Sequence, residues 1–543
     1  MVRRGFMAGK RGTGMRNAGA GAAPAARPRA PCVAPRALEC APTVTPRTTR
    51  SAAVDPALAA DAAELDALLD ETCEAARAFL HGLVARPAAA HGALSPAPSL
   101  PERGLGAREA LRRFRDRFEA GLSASAGPRY LGFVTGGATP ASLAADWLVS
   151  AYDQNTMNAI GSAAACVEVE ALAMLRALFA LPEAFAGTLV TGATAANFVG
   201  LAAAREWAGE RAGRSVSEEG LAALPSGVRI LAGTPHASVY KALSMLGLGR
   251  RALETVATLP GREAVDPEAL RAALTQGPGA AAPPPTIVVA SAGTVNTGDF
   301  DDLEAVASLC RAHGAWLHVD AAFGLFAACS PETAPLLRGL EHADSIAADA
   351  HKWLNVPYDC GLHFGRHLAL QERVFRASGA YLAPAPEGAP AVPDMLNRTP
   401  ENSRRFRALP VWMTLAAYGR AGYRELVERS LRCARALGAW IDGSPHFERL
   451  APVHLNVVCF ALAPALVEAL GGAGDPAQRL AAATARLLDA LQADGRVFLT
   501  PTTYAGRPAI RAAFSSWATR EEDVELVAGA LADTAERLRR GAA

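Results

Sequence analysis

The 543-residue sequence predicts an α/β protein, a mostly parallel sheet with helices on both faces, followed by a small α+β unit. Three observations carry that expectation. Short apolar or β-branched runs recur through the middle of the chain, and they are apolar throughout, as strands covered on both faces are. Stretches that can hold a helix separate them, so strand, helix and strand repeat. Half of the residues are hydrophobic, ample for a large core. The length allows roughly three to four domains.

Composition narrows the function classes. Net charge is +1 but uneven. Residues 1–54 hold ten Arg or Lys against the single acid Glu39, leaving 44 bases and 52 acids in the rest. A mildly acidic body argues against a nucleic-acid partner. The nine cysteines are scattered, odd in number and without a CxxC pair. That suits reduced thiols in a cytoplasmic-type compartment and neither a disulfide framework nor a zinc site. No apolar span of about 18 residues is present, so no membrane partner is expected.

In order, residues 1–54 are rich in Ala, Arg, Gly and Pro and read as a disordered extension. A transit peptide is also Arg-rich and acid-poor, but more Ser-rich than this, and a mis-assigned start is an equal account. Residues 55–139 form an N-terminal helical segment. Leu65, Leu68, Leu69 and Cys73 fall on one helix face, and a Pro/Gly/Ser-rich link over 86–103 precedes a second helix near 107–122. The main domain is expected over 140–412. A helix over 140–152 has Pro in its first turn. LVTGATAANFVGLAAA (189–204) reads as strand, Gly turn and helix start, a natural anion site. Strands follow at 228–233, 286–291, 316–319, 344–348 and 361–365, with helices near 300–313 and 331–341. Residues 274–285 are a Gly/Pro/Ala loop, and 376–402, with five prolines, reads as a lid. The C-terminal α+β domain spans 413–543. It holds helices over 423–438 and 521–539 and strands near 456–461, 497–499 and 509–514.

The chemistry concentrates in AWLHVDAAFGLFAACSPETAPLLRGLEHADSIAADAHKWLNVPYDCG, residues 315–361. One apolar run ends on Asp320, and a second delivers Asp349, His351 and Lys352. Ligands of open α/β sheets bind outside the carboxyl ends of the strands, where Asp320 and Lys352 both fall. Pyridoxal 5′-phosphate (PLP) needs that pair together: a lysine for its Schiff base and an acid at its pyridinium nitrogen. Ala322 and Gly324 leave room for a flat ring. Alone, a surface lysine or a strand-end acid is commonplace; HVDAA followed by DAHKW is not. Lys241 is the rival lysine.

HVDAAFG followed by DAHKWLNVPYDCG resembles the group II PLP-dependent amino acid decarboxylases, a family that includes aromatic L-amino-acid, histidine and glutamate decarboxylases. The likeness runs from about residue 128 to the C-terminus. It differs at Asp349 and Ala350, where the family usually has Asn and Pro. The resemblance implies fold type I, the aspartate aminotransferase-like fold with a seven-stranded sheet. It also implies a homodimer in which the N-terminal helices pack on the partner. By the same likeness Lys352 carries the cofactor, Asp320 keeps the ring nitrogen protonated and His236 stacks on the ring. Ala193 and Thr194 hold the phosphate, Thr294 and Ala322 contact the cofactor, and Asp349 and His351 flank the lysine. Phe133, Thr135, Gln154 and Thr156 line the substrate pocket, partly across the dimer interface. Tyr381, on the lid, supplies or relays the proton to Cα. From the residues alone, Phe133 reads equally as core, Gln154 and Thr156 as helix-end polar groups, and His236 as structural. The arginines of SRRFRALPVW (403–412) read as solvated or ion-paired. The implied reaction is decarboxylation of an L-amino acid, aromatic by first choice. The alternatives are an aldehyde synthase, an acidic or polar substrate, and a silent regulatory relative.

Overall fold

The computed structural model describes residues 55–90, 99–275, 284–377 and 392–542. The expected extension (1–54) and the lid tyrosine Tyr381 lie outside the described residues.

After a short first helix at Pro56–Ala63 come helices α1 (Leu65–Gly82) and α2 (Ala107–Phe118), neither of which buries a residue. Leu65, Leu69, Phe114 and Phe118 stand exposed on them. The expected helix to 122 tightens after Phe118 into a 3₁₀ turn, Glu119–Gly121. Helix α3 (Pro140–Tyr152) starts where Thr139 accepts the Ser142 N–H, with Pro140 in the first turn, where a missing N–H costs nothing. Helix α4 (Ala164–Leu178) precedes the main sheet.

That sheet has seven strands: β1 (Ala186–Val190), β2 (Arg229–Ala232), β3 (Leu253–Thr255), β4 (Thr286–Ser291), β5 (Trp316–Asp320), β6 (Ser345–Asp349) and β7 (Gly361–Gly365). Their order is β1-β7-β6-β5-β4-β2-β3, and only the two pairings of β7 are antiparallel. The mostly parallel sheet is thus as expected. Strands β5 to β7 are buried at every residue, which is why their sequences do not alternate. Helix α5 (Ala193–Arg211) crosses this sheet on a surface of small residues, including Ala196, Gly200 and Ala203. Helices α6 (Ala237–Met245) and α7 (Leu303–His313) follow β2 and β4.

Two expected elements differ. Residues 331–341 hold no α-helix; the β5–β6 crossover is made of 3₁₀ turns at Ala334–Leu337 and Leu340–His342. Pro335 has no N–H to donate. Gly339, at φ 93°, packs so closely that a Cβ would lie 2.4 Å from the Glu304 nitrogen. Both break a continuous helix. Residues 497–499 are not a strand of the second sheet. Phe498 pairs instead with the 129–131 segment, donating to Arg129 O and accepting from the Leu131 N–H.

The 35-residue helix α8 (Ala408–Asp442) runs across the 412/413 division and bends at Gly419, whose φ of 55° is non-helical. Beyond it, β8 (Phe447–Arg449), β9 (Val457–Leu462), β10 (Thr500–Tyr504) and β11 (Arg507–Ala513) form an antiparallel sheet ordered β10-β11-β9-β8. Helices α9 (Pro476–Asp494) and α10 (Glu521–Ala542) pack with this sheet in a second apolar core. Among the described residues no helix is long and apolar enough to cross a membrane.

Candidate active site

The parallel strands end on one cavity of about 230 Å³. Asp320 closes β5 in register with Ser291 of β4 and Ala347 of β6. Three residues past the end of β6, in a π-type turn (Ala350–Leu354), stands Lys352. Both line the cavity, together with His236, Thr294, Ala322, Phe323, His351, Tyr358 and Arg511. The chain holds only three lysines, and Lys241, exposed on α6, is not at this cavity.

Asp320 is buried, and both of its oxygens accept N–H bonds, Oδ1 from Ala322 at 3.2 Å and Oδ2 from Asn197 Nδ2 at 2.9 Å. Lys352 Nζ lies 3.0 Å from Asp349 Oδ2 and 5.9 Å from the centre of the Phe323 ring. Asp349 Oδ1 accepts the Ala193 N–H at 2.5 Å, so it supplies the anion that the start of α5, without a side-chain cap of its own, favours. His351 Nδ1 donates to Cys360 O at 3.0 Å, and its ring lies 4.6 Å from that of Tyr358. Burial first, and Lys352 next among the lowering influences, hold the His351 imidazole below its usual range.

His236 caps α6. Its Nδ1 accepts the Ser238 N–H at 3.2 Å and lies 2.8 Å from Ser238 Oγ, which leaves the proton on Nε2. Burial, opposed by Asp320 and reinforced by Lys352 and Arg511, lowers its pKa. The neutral ring is therefore favoured beside the lysine.

Of the residues singled out in the sequence, Phe133, Thr135, His236, Thr294, Asp320, Ala322, His351 and Lys352 line the cavity. Ala193 and Asp349 meet at its edge, with Thr194 next along α5. Thr294 offers the cavity no free hydroxyl, since its Oγ1 donates to Glu263 Oε2 at 2.6 Å. Gln154 and Thr156 do not reach the cavity from within this chain. Gln154 is exposed and accepts from Ser162, while Thr156 is fully buried beside Arg404. Gly132, next to Phe133, packs on Phe498, whose ring would lie 2.5 Å from a Cβ there.

Sequence reasoning missed Asn197, Tyr358 and Arg511. Arg511 is buried and lines the cavity. It donates to Val295 O and Gly132 O, its Nε has no partner, and no carboxylate pairs with it among the described residues. Its one signal was an arginine inside the apolar strand AIRAAF. The arginines of 403–412 resolve more simply, for Arg404 forms a buried bidentate pair with Glu168.

The donor set fits PLP. An acid and an amine face one cavity. The backbone beside them is stripped of side chains: a Cβ on Gly324 would lie 2.0 Å from Ala292 O, and Gly293 sits at φ 88°. The start of α5 lies beside Lys352 through Asp349, whose carboxylate holds the Ala193 N–H that a phosphate would take in its place.

Comparison with known proteins agrees. The family model for the pyridoxal-dependent decarboxylase conserved domain matches residues 96–463. The aromatic-L-amino-acid decarboxylase of Bacillus atrophaeus is 27% identical over 370 residues, 67% of this chain and 74% of that protein. Tryptophan decarboxylase 1 of Oryza sativa subsp. japonica is 28% identical over 434 residues, 76% of this chain and 81% of its own. The crystal structure of Oryza sativa TDC with PLP and tryptamine shares the fold, with a TM-score of 0.79 at 24% identity over 88% of this chain and 98% of that one. The matched domain covers most of the chain and contains the cavity's Asp320 and Lys352, so the chain belongs to the pyridoxal-dependent decarboxylases and is a PLP-dependent carboxy-lyase.

Proposed function

We propose that the protein removes the α-carboxylate of an aromatic L-amino acid, releasing carbon dioxide and the amine. The observation that carries this reading is the cavity wall: Asp320 and Lys352 open onto a space lined by Phe133, Val134, Val295, Phe323 and Tyr358. Such a wall matches a flat apolar side chain.

PLP, when bound, supplies the electron sink for the pair left at Cα. The chain's own residues do the rest. Lys352 is the amine that would hold the cofactor. Asp320 would hold the ring nitrogen, and the neutral His236 would cover the ring face. The start of α5, at Ala193 and Thr194, would hold the phosphate once it takes the Ala193 N–H from Asp349. Asp349 holds the lysine ammonium and the Ala193 N–H, and His351 sets the turn that carries Lys352. Ala322 and Thr294 bound the ring's edge. Phe133 and Thr135 bound the substrate, and Gln154 and Thr156 contribute only if a second subunit brings them there. The exposed apolar faces of α1 and α2 support a homodimer, and the reduced-thiol composition supports a cytoplasmic location.

Arg511 favours a second reading. A buried guanidinium without a carboxylate partner suits an acidic side chain. It does not suit the scissile carboxylate, because stabilising that charge in the ground state slows its loss. Carbon dioxide release from each of the twenty L-amino acids, by the full chain with added PLP, separates the readings. Release is expected first from tryptophan, tyrosine or phenylalanine. Release only from aspartate or glutamate would move the assignment to the second reading, and release from none would overturn both.

A further inference from the structure

Asp320 and His236 touch the cavity from different elements, and one buried side chain joins them. Asn197, on α5, donates from Nδ2 to Asp320 Oδ2 at 2.9 Å and to Ser238 Oγ at 3.0 Å. Ser238 Oγ lies 2.8 Å from His236 Nδ1. On its other side, Asn197 Oδ1 lies 2.8 Å from His318 Nε2, and His318 Nδ1 lies 2.8 Å from Ser345 Oγ. Ser345 Oγ in turn accepts the indole N–H of Trp316 at 3.1 Å. Trp316, His318 and Asp320 alternate along β5 and so share one face. Ser345 sits opposite His318 on β6.

The donors and acceptors of this chain settle its direction. The Asp320 carboxylate only accepts, so Asn197 gives it Nδ2 and turns Oδ1 to His318, whose Nε2 must donate. The bare His318 Nδ1 then accepts the hydroxyl hydrogen of Ser345, which itself accepts the Trp316 indole N–H. Burial supports the neutral ring, pushing the His318 pKa down to about 3, with neighbouring His363 adding to the effect. The amide nitrogen of Asn197 is thereby held toward Asp320 and Ser238. A flipped amide would set its oxygen against the carboxylate and its N–H against the N–H of His318. The same logic sends the Ser238 hydrogen to His236 Nδ1. Backbone makes room for the relay: a Cβ on Gly200 would lie 2.8 Å from His318 Nδ1 and 3.1 Å from Ser345 Oγ.

We propose that Asn197, held in one orientation by His318 and Ser345, is the positioning residue that presents Asp320 to the cofactor's ring nitrogen and His236 to the ring's face. This rests on the reading that the PLP ring lies in the cavity with its nitrogen on Asp320. Asn197 does not line the cavity; it acts through Asp320 and His236, which do.

The test uses the full chain stripped of PLP and two ligands without an aldehyde, so that Lys352 forms no bond. One is pyridoxine 5′-phosphate. The other is its analogue with the ring nitrogen replaced by C–H. The ratio of their dissociation constants reads the Asp320 contact alone, and general damage to the site cancels. His236, His351, Lys352, Tyr358 and Arg511, the other charged and titratable groups lining the same cavity, and Asp349 beside Lys352 stay unchanged. The wild type is expected to prefer the nitrogen ring by about tenfold or more, the scale of a hydrogen bond to a charged group. His318→Leu should bring the ratio toward one while binding of the carbon analogue stays within about twofold. His318→Gln, which can still donate to Asn197, should keep most of the preference. An undiminished ratio in His318→Leu, or equal loss of both ligands, overturns the proposal. If His318→Leu does not fold, Ser345→Ala decides: the proposal requires a smaller preference there, and an unchanged one contradicts it. A wild type that binds neither ligand would instead remove the PLP reading, and this inference with it.

Discussion

Lys352 and Asp320 gain their chemistry from placement at adjacent strand ends. Lys352→Ala should abolish measurable turnover, because among the described residues no other lysine faces the cavity. Release of carbon dioxide under saturating PLP checks this, and retained turnover would reassign the lysine. Asp320→Ala removes the acid that both Ala322 and Asn197 orient. It should weaken PLP retention and lower the rate by about two or more orders of magnitude. Dialysis followed by cofactor quantification separates that outcome from a residue that only closes a strand. These two residues were legible in the sequence because each sits in a contiguous motif whose residue types serve one cofactor. Asn197 and Arg511 were not. Asn197 meets Asp320 across 123 positions, and Arg511 reaches Gly132 across 379. Neither has a local pattern marking it. Gln154 and Thr156 were read from likeness, and within one chain they do not line the cavity.

At the scale of elements, strands β4 to β7 were legible because burial on both faces leaves uninterrupted apolar runs. The β5–β6 crossover was misread as a helix, since apolar spacing alone does not report that Gly339 must pack against α7. The pairing of Phe498 with residues 129–131 is equally non-local. Two variants test how the elements are held. Arg404 ties the 403–407 segment to α4 and β1 through Glu168, Leu189 O and Thr156 O. Arg404→Ala strands the fully buried Glu168 and should cost about 3–5 kcal/mol in a denaturant titration. A loss below about 1 kcal/mol would mean that water or relaxation replaces the pair. Gly200→Ala adds one methyl where α5 meets His318 and Ser345. It should cost about 1–3 kcal/mol, because backbone and sheet on both sides are buried. A neutral result would show that α5 can lift away from β5.

For the whole molecule, apolar cores form on the main sheet and on the second sheet, and α8 contributes residues to one of each, yet α1 and α2 bury nothing of their own. The prediction is a homodimer in sedimentation equilibrium, with Leu65, Leu69, Phe114 and Phe118 at or near its contact. Replacing Leu69 and Phe114 by Asp should shift the population toward monomer and lower activity with it. A fully active monomer would contradict that assembly. The general architecture was legible from the repeat of strand and helix, but the substrate is not a property of architecture. It depends on which side chains converge on one cavity.

That convergence can be read in one measurement. The full chain is incubated with PLP, treated with borohydride to fix any imine as a stable amine, digested, and mapped by mass spectrometry. The account predicts a phosphopyridoxyl group on Lys352 and on no other residue. A label on Lys241, or no label after PLP has bound, would contradict the assignment of the cavity bounded by Asp320 and Lys352 as the active site.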